Sequence, residues 1–267
     1  MTLNLYPKGT SCGAPDEAGK RACETPNEEF LRRHHVMNRQ VMQIRTRAKM
    51  CGTTRLEDAL AAARYGVDAL GFILYAKSPR YVPPEKVAAI CGQLPPFVDR
   101  IGVIVNESIE TAIRLVDIAG LSYLQLHGSE SSRYCRELKN ALPHLKLIKA
   151  FRVGEQTSRD EFTPYEGLVD SFLLDTYMKG NQGGTGRVFD WSLIAGLNLN
   201  NSIILAGGLT PENILDAIST VLPYGVDINS GVELQPGKKN HARLKEMIER
   251  IMSWREGSSE KLSCDNK

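Results

Sequence analysis

The chain has 267 residues, of which 42% are hydrophobic, and a formal net charge of +2 at pH 7; this length and hydrophobic content suit one large α/β domain or two small ones. The near balance of charge indicates neither nucleic acid nor a membrane as a partner, and no apolar run approaches the roughly 18–20 residues that span a bilayer. The six cysteines form no CxxC pair and no apolar signal segment precedes them, which argues against a zinc site, a disulfide framework and secretion, and predicts a reducing cytoplasm.

The two ends of the chain differ in composition from its middle. Residues 1–40 are rich in Gly, Pro, Thr and charged residues, which predicts a disordered or loosely attached extension. Met37 and Met42 offer the alternative that translation starts there and that no real extension exists. The polar residues 256–267 are expected to form a flexible tail, so residues 41–255 carry the predicted folded domain.

Within the folded domain, short β-rich apolar runs alternate with segments of helical periodicity. The predicted strands are Ile44–Met50, Ala69–Leu74, Arg100–Val105, Tyr123–Leu126, Leu145–Phe151, Ser171–Asp175, Ser202–Ala206 and Val226–Ile228. The predicted helical segments are Leu56–Tyr65, Pro84–Gln93, Ser108–Ala119, Ser131–Leu142, an irregular piece near Ser158–Phe162, Trp191–Gly196, Pro211–Val221 and His241–Trp254. This alternation predicts a single (β/α)8 TIM barrel. An open doubly wound sheet is the alternative, but the first strand–helix junction, KMCGTT, lacks GxGxxG.

Local signals mark the ends of several helices. Thr54, followed three residues later by Glu57, predicts a capping box at the first helix, and Gly66 suits the C-terminal end of the same helix. Thr210 is expected to cap a later helix, with Pro211 in its first turn.

In a barrel of this kind the chemistry lies at the C-terminal ends of the strands. The polar residues and glycines at or after those ends are Cys51, Arg80, Asn106, Gln125, His127, Gly128, Arg152, Asp175, Gly207, Gly208, Asp227, Asn229, Ser230 and Gly231. The last two junctions suggest a phosphate site, because glycines leave backbone N–H groups unobstructed after strands seven and eight. Taken singly, the same glycines would be ordinary tight turns.

Several longer stretches are similar to one enzyme family. KMCG, KSPRYV, LQLHG, GGTGRVFDW, ILAGGLTPENI and DINSGVE occur in order between Lys49 and His241, and together they resemble the phosphoribosylanthranilate isomerases of tryptophan biosynthesis. The resemblance implies an Amadori rearrangement of a small-molecule phosphosugar without a cofactor. It also implies that Asp175 is the general acid and Cys51 the general base, roles that fit a reaction made of proton transfers. Without it, a buried structural thiol is the common state of a cysteine.

The resemblance assigns three further substrate-binding residues. Arg80 would hold the anthranilate carboxylate, for which a planar guanidinium is suited; a surface arginine beside a proline turn is the alternative. His127 would border the anthranilate ring, or else be a core histidine satisfied by the backbone. Asp227 would bond sugar hydroxyls or orient its neighbours, or else cap its strand. Lys49 lies on the same strand face as Cys51, and we expect its charge to favour the thiolate.

Three questions about the chain are left to the structure and to experiment. The Gly-rich stretch KGNQGGTGR after Asp175 predicts either a loop that closes over substrate or a plain flexible loop. A catalytically silent barrel and other sugar-phosphate isomerases or epimerases are the alternatives in function. The histidine-pathway isomerase would have an aspartate where Cys51 stands. The chain is expected to be a monomer or a homodimer.

Overall fold

The computed structural model describes residues 45–176 and 190–264, with side chains of the last helix described as far as Trp254. The strands of the barrel are β1 Arg47–Met50, β2 Ala69–Ile73, β3 Asp99–Ile104, β4 Tyr123–Leu126, β5 Lys146–Arg152, β6 Ser171–Asp175, β7 Ser202–Ala206 and β8 Gly225–Ile228. The α-helices are α1 Leu56–Tyr65, α2 Pro84–Cys91, α3 Ile109–Ala119, α4 Ser132–Ala141, α5 Ser192–Gly196, α6 Ile214–Val221 and α7 His241–Cys264. Shorter elements are the 3₁₀ turns Arg159–Glu161, Thr163–Tyr165 and Ser230–Val232 and the strands β9 Glu233–Gln235 and β10 Lys238–Lys239.

The eight strands form a closed parallel barrel in chain order, which confirms the predicted TIM barrel and excludes the open sheet. Closure is made by β1 and β8, where Lys49 is in register with Asp227. On its other side β1 pairs with β2, and Lys49 is in register with Ala69. The C-terminal end of every strand therefore opens at the same mouth.

The strands are buried on both faces, as parallel strands covered by helices must be. Inward-facing residues fill the barrel with small and branched side chains, namely Ala69, Ile101, Ile148, Ala150, Leu173, Ile204 and Ala206. Outward-facing residues such as Ala48, Met50 and Leu70 join the larger core between the sheet and the helices. Because side chains alternate along a strand, Lys49 and Cys51 face the interior on either side of Met50.

The predicted caps were only partly right. Gly66 ends α1 in the left-handed conformation, with φ +93°, as expected. The Thr54 capping box was wrong: the cap position is Arg55, no side chain caps it, and the Thr54 hydroxyl donates instead to the carbonyl of Gly237 at 2.5 Å. A contact across the fold thus replaces the local one.

The predicted start of the later helix was also wrong. Helix α6 begins at Ile214, after a turn that contains Thr210 and Pro211. The side chain of Asn213 closes this turn, because Oδ1 accepts from Thr210 N at 2.9 Å and Nδ2 donates to Gly208 O at 3.0 Å.

Some predictions fall outside the described residues. The extension over residues 1–40 and the Gly-rich stretch at 179–187 cannot be compared with the structure. Helix α7 continues ten residues beyond the predicted end at Trp254, as far as Cys264. Within the described part of the chain, no helix is both long and apolar enough to cross a membrane.

Candidate active site

A cavity of about 470 Å³ opens at the C-terminal end of the barrel. Every residue for which the sequence predicted a catalytic, substrate-binding or phosphate-binding role lines it, namely Cys51, Arg80, His127, Asp175, Gly207, Gly208, Asp227, Asn229, Ser230 and Gly231. Tyr75, Ser78 and Gln125 are further polar lining residues. Asn106, Gly128 and Arg152 are not part of the lining. The strand-end rule therefore predicted most of the polar wall of this cavity but included three residues that do not contribute to it.

Cys51 lies at the end of β1 and is 5% exposed. Gly71 of β2 leaves room beside it, since a Cβ at that position would lie 2.9 Å from Sγ of Cys51 and 3.0 Å from Nζ of Lys49. Lys49 is buried and forms an ion pair with Asp227, with 2.8 Å between Nζ and Oδ2. The other carboxylate oxygen of Asp227, Oδ1, is buried and accepts no hydrogen bond from the described residues.

The charges around Cys51 act in opposite directions on its protonation. Burial raises the pKa of the Cys51 thiol above its usual value, while the positive charges of Lys49 and Lys239 oppose that rise. Burial alone would lower the pKa of Lys49, but Asp227 and Cys51 outweigh it and raise the pKa. The predicted electrostatic help from Lys49 is therefore present, although burial dominates at the thiol.

On the β4 and β6 side of the mouth, His127 faces Asp175, with 3.9 Å between Nε2 and Oδ2. The amide Nε2 of Gln125 lies 2.9 Å from Nδ1 of His127. Burial lowers the pKa of His127 despite the carboxylate of Asp175, which favours the neutral form of the ring. An amide N–H donor at Nδ1 makes that nitrogen the acceptor, which places the ring proton on Nε2, toward Asp175.

The loop that carries His127 is fixed by a buried ion pair. Lys149 and Glu130 are 3% and 1% exposed, with 2.9 Å between Nζ and Oε2. Lys149 also donates to the carbonyl of Gly128 at 2.7 Å, and Oε1 of Glu130 accepts from the backbone N–H of Asn106 at 2.8 Å. A charged pair with these extra hydrogen bonds holds its surroundings in one geometry.

Glycines at the ends of β7 and β8 bring backbone N–H groups to the cavity wall. Gly207 has φ +93°, and a Cβ there would lie 2.5 Å from the backbone N of Thr176. At Gly231 a Cβ would lie 1.9 Å from the carbonyl oxygen of Leu209. The N–H groups of Gly208, Ser230 and Gly231 donate to no acceptor among the described residues. We call the wall formed by residues 207–208 and 229–231 the glycine cup.

Arg80 lies in the loop after β2, where it lines the cavity and pairs with Glu233. Nε lies 3.0 Å and 3.1 Å from the two carboxylate oxygens, and Nη2 lies 2.6 Å from Oε2. Glu233 also accepts from Nζ of Lys239 at 3.0 Å. Burial alone would raise the pKa of Glu233, but Arg80 and Lys239 outweigh burial and lower it. Nη1 of Arg80 has no hydrogen-bond partner in the described part of the chain.

Sequence reasoning missed Glu233 and Lys239. Glu233 belongs to the DINSGVE stretch, and its place just beyond the last strand was an available signal. Lys239 follows a second lysine in PGKKN, and nothing local distinguishes the buried one from its exposed neighbour Lys238.

The fold and the site define the class of the protein: it is a (β/α)8-barrel enzyme with a polar cavity at the C-terminal mouth, one wall of which is a glycine cup suited to an anion. The family follows from comparison. The model of the N-(5'phosphoribosyl)anthranilate (PRA) isomerases matches residues 48–250, and the chain belongs to that family.

Individual relatives agree with this membership. An N-(5'-phosphoribosyl)anthranilate isomerase of Pelobacter propionicus is 46% identical over 202 residues, which are 76% of this chain and 93% of the relative. Among solved structures, a phosphoribosyl anthranilate isomerase in complex with reduced 1-(o-carboxyphenylamino)-1-deoxyribulose 5-phosphate is 38% identical, with 78% and 99% of the chains covered and a TM-score of 0.67. Monomers generated from the dimeric isomerase of Thermotoga maritima are 36% identical, with 78% and 98% covered and a TM-score of 0.68.

Proposed function

We propose that this chain converts N-(5-phosphoribosyl)anthranilate to 1-(2-carboxyphenylamino)-1-deoxyribulose 5-phosphate in tryptophan biosynthesis, with Asp175 as general acid and Cys51 as general base. The observation that carries the assignment is the placement of a thiol on β1 and a carboxylate on β6 in the wall of one cavity. A sugar bound between these strands would meet the two groups from different sides. Both steps are proton transfers, so positioned side chains suffice for the chemistry.

The proposed reaction begins at the ribose ring. Asp175 gives its proton to the ring oxygen, the C1–O bond breaks with its electron pair going to that oxygen, and the nitrogen lone pair forms a C1=N double bond. The Cys51 thiolate then removes the proton from C2. The released electron pair forms C1=C2, and the electrons of C1=N return to nitrogen. The resulting enol becomes the ketone when its hydroxyl proton is lost and C1 gains one.

The reactive form needs Cys51 as a thiolate and Asp175 protonated. In this form Cys51 and Asp175 carry one proton between them, on the carboxyl group. The alternative form, a thiol beside a carboxylate, also carries one proton, so the two forms differ only in which group holds it. Burial favours the proton on Cys51, and Lys49 opposes it. We infer that the positive charges of Lys49 and Lys239 favour the thiolate of Cys51 and so shift the proton toward Asp175, which is the reactive form.

The remaining groups are suited to the two anionic ends of such a substrate. The N–H groups of the glycine cup would bind the phosphate. At the other end, the Nη1 edge of Arg80 would bind the carboxylate, with Glu233 holding the guanidinium in place. Oδ1 of Asp227 would accept a sugar hydroxyl, which would satisfy a buried acceptor. His127 would border the aromatic ring and direct its Nε2 proton toward Asp175.

The proposal also covers the cellular compartment and the oligomeric state. The free thiols at Cys51, Cys91 and Cys135 suit a reducing compartment, and we place the enzyme in the cytoplasm. We expect a monomer or a homodimer, which sedimentation velocity of the full chain distinguishes.

The test is the loss of fluorescence of phosphoribosylanthranilate, formed in situ from anthranilate and phosphoribosyl pyrophosphate. We expect rapid decay with the wild-type chain and a collapse of the rate with Cys51→Ser and with Asp175→Asn. Cys135→Ser is the matched control, because Cys135 is a buried thiol in α4 outside the cavity. A folded wild-type chain that gives no decay would instead be a silent barrel, and wild-type rates in both site variants would refute the two roles.

A further inference from the structure

Lys239 is a buried cation that makes contact with three parts of the site. It lies in β10, on the hairpin that follows β8, and is 2% exposed. Its Nζ donates to the carbonyl of Cys51 at 2.6 Å, to Oδ1 of Asn229 at 2.9 Å and to Oε1 of Glu233 at 3.0 Å, with a longer contact of 3.3 Å to the carbonyl of Asn229. An ammonium group has three N–H donors, and the acceptors of these three residues use all of them.

Each of the three residues that accept from Lys239 belongs to a different element of the proposed machinery. Cys51 is the proposed base, and Lys239 holds the end of β1 through the backbone carbonyl of Cys51. Asn229 begins the second half of the glycine cup, in an unusual backbone conformation with φ −139° and ψ −95°. Glu233 holds Arg80 through its Nε and Nη2 atoms.

We propose that Lys239 is a positioning residue that couples the base, the glycine cup and the carboxylate-binding arginine into one rigid unit. This inference rests on the proposed function of those three elements. Lys239 does not line the cavity, so it acts through its neighbours rather than on the substrate.

The surroundings of Lys239 explain how one side chain can hold three segments. Its backbone N–H donates to Oδ2 of Asp58 in α1 at 3.1 Å, and the same aspartate lies 2.7 Å from Nε2 of His241 through Oδ1. The residue is therefore fixed at its backbone and at its tip. Burial lowers the pKa of Lys239, and Glu233 opposes that shift, so the carboxylate also supports the charged form.

The test separates the two ends of the substrate site by using two probes. Reduced 1-(o-carboxyphenylamino)-1-deoxyribulose 5-phosphate reports on the carboxylate and phosphate ends together, and inorganic phosphate reports on the cup alone. Affinities for both are measured by calorimetry on the full chain. Lys239→Met removes all three donors, Glu233→Gln removes the charge that holds Arg80, and Lys139→Met is the matched control. Lys139 also donates to a backbone carbonyl and a carboxylate, those of Leu145 and Asp170, away from the cavity.

We expect Lys239→Met to weaken both probes by about tenfold or more, because each lost hydrogen bond involves a charged donor. Glu233→Gln is expected to weaken the reduced product analogue and leave phosphate unchanged. Lys139→Met should leave both affinities at the wild-type value even if it lowers the melting temperature. This selectivity distinguishes positioning of the site from a general loss of stability.

Wild-type affinity for both probes in a folded Lys239→Met variant would overturn the inference. Loss of the analogue alone would also overturn it, because the cup would then be independent of Lys239. If Lys239→Met does not fold, the affinities for the analogue and for phosphate are measured on Lys239→Gln, which keeps an amide donor, and the same outcomes decide the inference. A wild-type chain that binds neither probe would refute the proposed site itself, a result distinct from either of these.

Discussion

Replacement of Gly71 by alanine tests how closely the position of the Cys51 thiol controls the rate. The added Cβ would lie 2.9 Å from Sγ of Cys51 and 3.1 Å from its Cα, whereas ordinary van der Waals contact begins at 3.4 Å. The thiol must therefore move by about 0.5 Å. Nζ of Lys49 would also lie only 3.0 Å from the new methyl group, so both side chains are crowded. Gly71 does not have a positive φ, so the effect comes from crowding and not from backbone strain.

The expected cost falls on the rate more than on binding. A misplacement approaching 1 Å in a reacting group costs up to about 100-fold in rate, so we expect kcat of Gly71→Ala to fall roughly 10- to 100-fold. KM should change little, because the cup follows β7 and β8 and Arg80 lies in the loop beyond the end of β2, nine residues after Gly71. Overpacking should lower the free energy of unfolding by about 1–3 kcal/mol.

The assay is steady-state decay of phosphoribosylanthranilate fluorescence, with thermal unfolding of the same samples. Gly154→Ala is the matched control, because a Cβ at Gly154 meets nothing within 4 Å, and it should leave kcat unchanged. If Gly71→Ala keeps the wild-type kcat while its melting temperature falls, the thiol tolerates displacement and its role as a precisely placed base is refuted.

Three further predictions concern the cup, the buried ion pair and pH. Gly231→Ala forces a Cβ to within 1.9 Å of the Leu209 carbonyl oxygen, so the affinity for inorganic phosphate should fall at least about tenfold; unchanged affinity in calorimetry would place the phosphate elsewhere. Glu130→Ala leaves Lys149 buried without its carboxylate and should cost about 3–5 kcal/mol in urea unfolding; a loss below about 1 kcal/mol would show that the lysine is solvated. Burial alone would raise the pKa of Asp170, but hydrogen bonds from two lysines and a backbone N–H lower it. A lowered pKa stabilises the fold above the usual aspartate pKa of about 4 and loses that effect as the pH falls through the lowered pKa. Asp170→Asn should therefore melt earlier than wild type at pH 7, with the difference closing in acid; a difference independent of pH would contradict this.

Much of the fold could be predicted because its signals are local. Each strand is a short apolar run and each helix repeats its apolar residues about every 3.6 positions, so alternation alone indicated the barrel. The strand-end rule then gathered Cys51, Asp175 and the glycines into one mouth, since all parallel strands open on the same side. Helix caps were less predictable, because Thr54 donates to Gly237 across the fold instead of capping its own helix.

The sequence by itself determined which residue types stand at the ends of the strands, and therefore the chemistry available to this protein. Only the tertiary structure decided which of those residues touch and which buried charges hold them. Lys239 lies 188 residues from Cys51 in the chain, and the two meet because β1 and β8 close the barrel. No local pattern can encode such a contact, since it depends on the register of closure and on the hairpin that folds back over it.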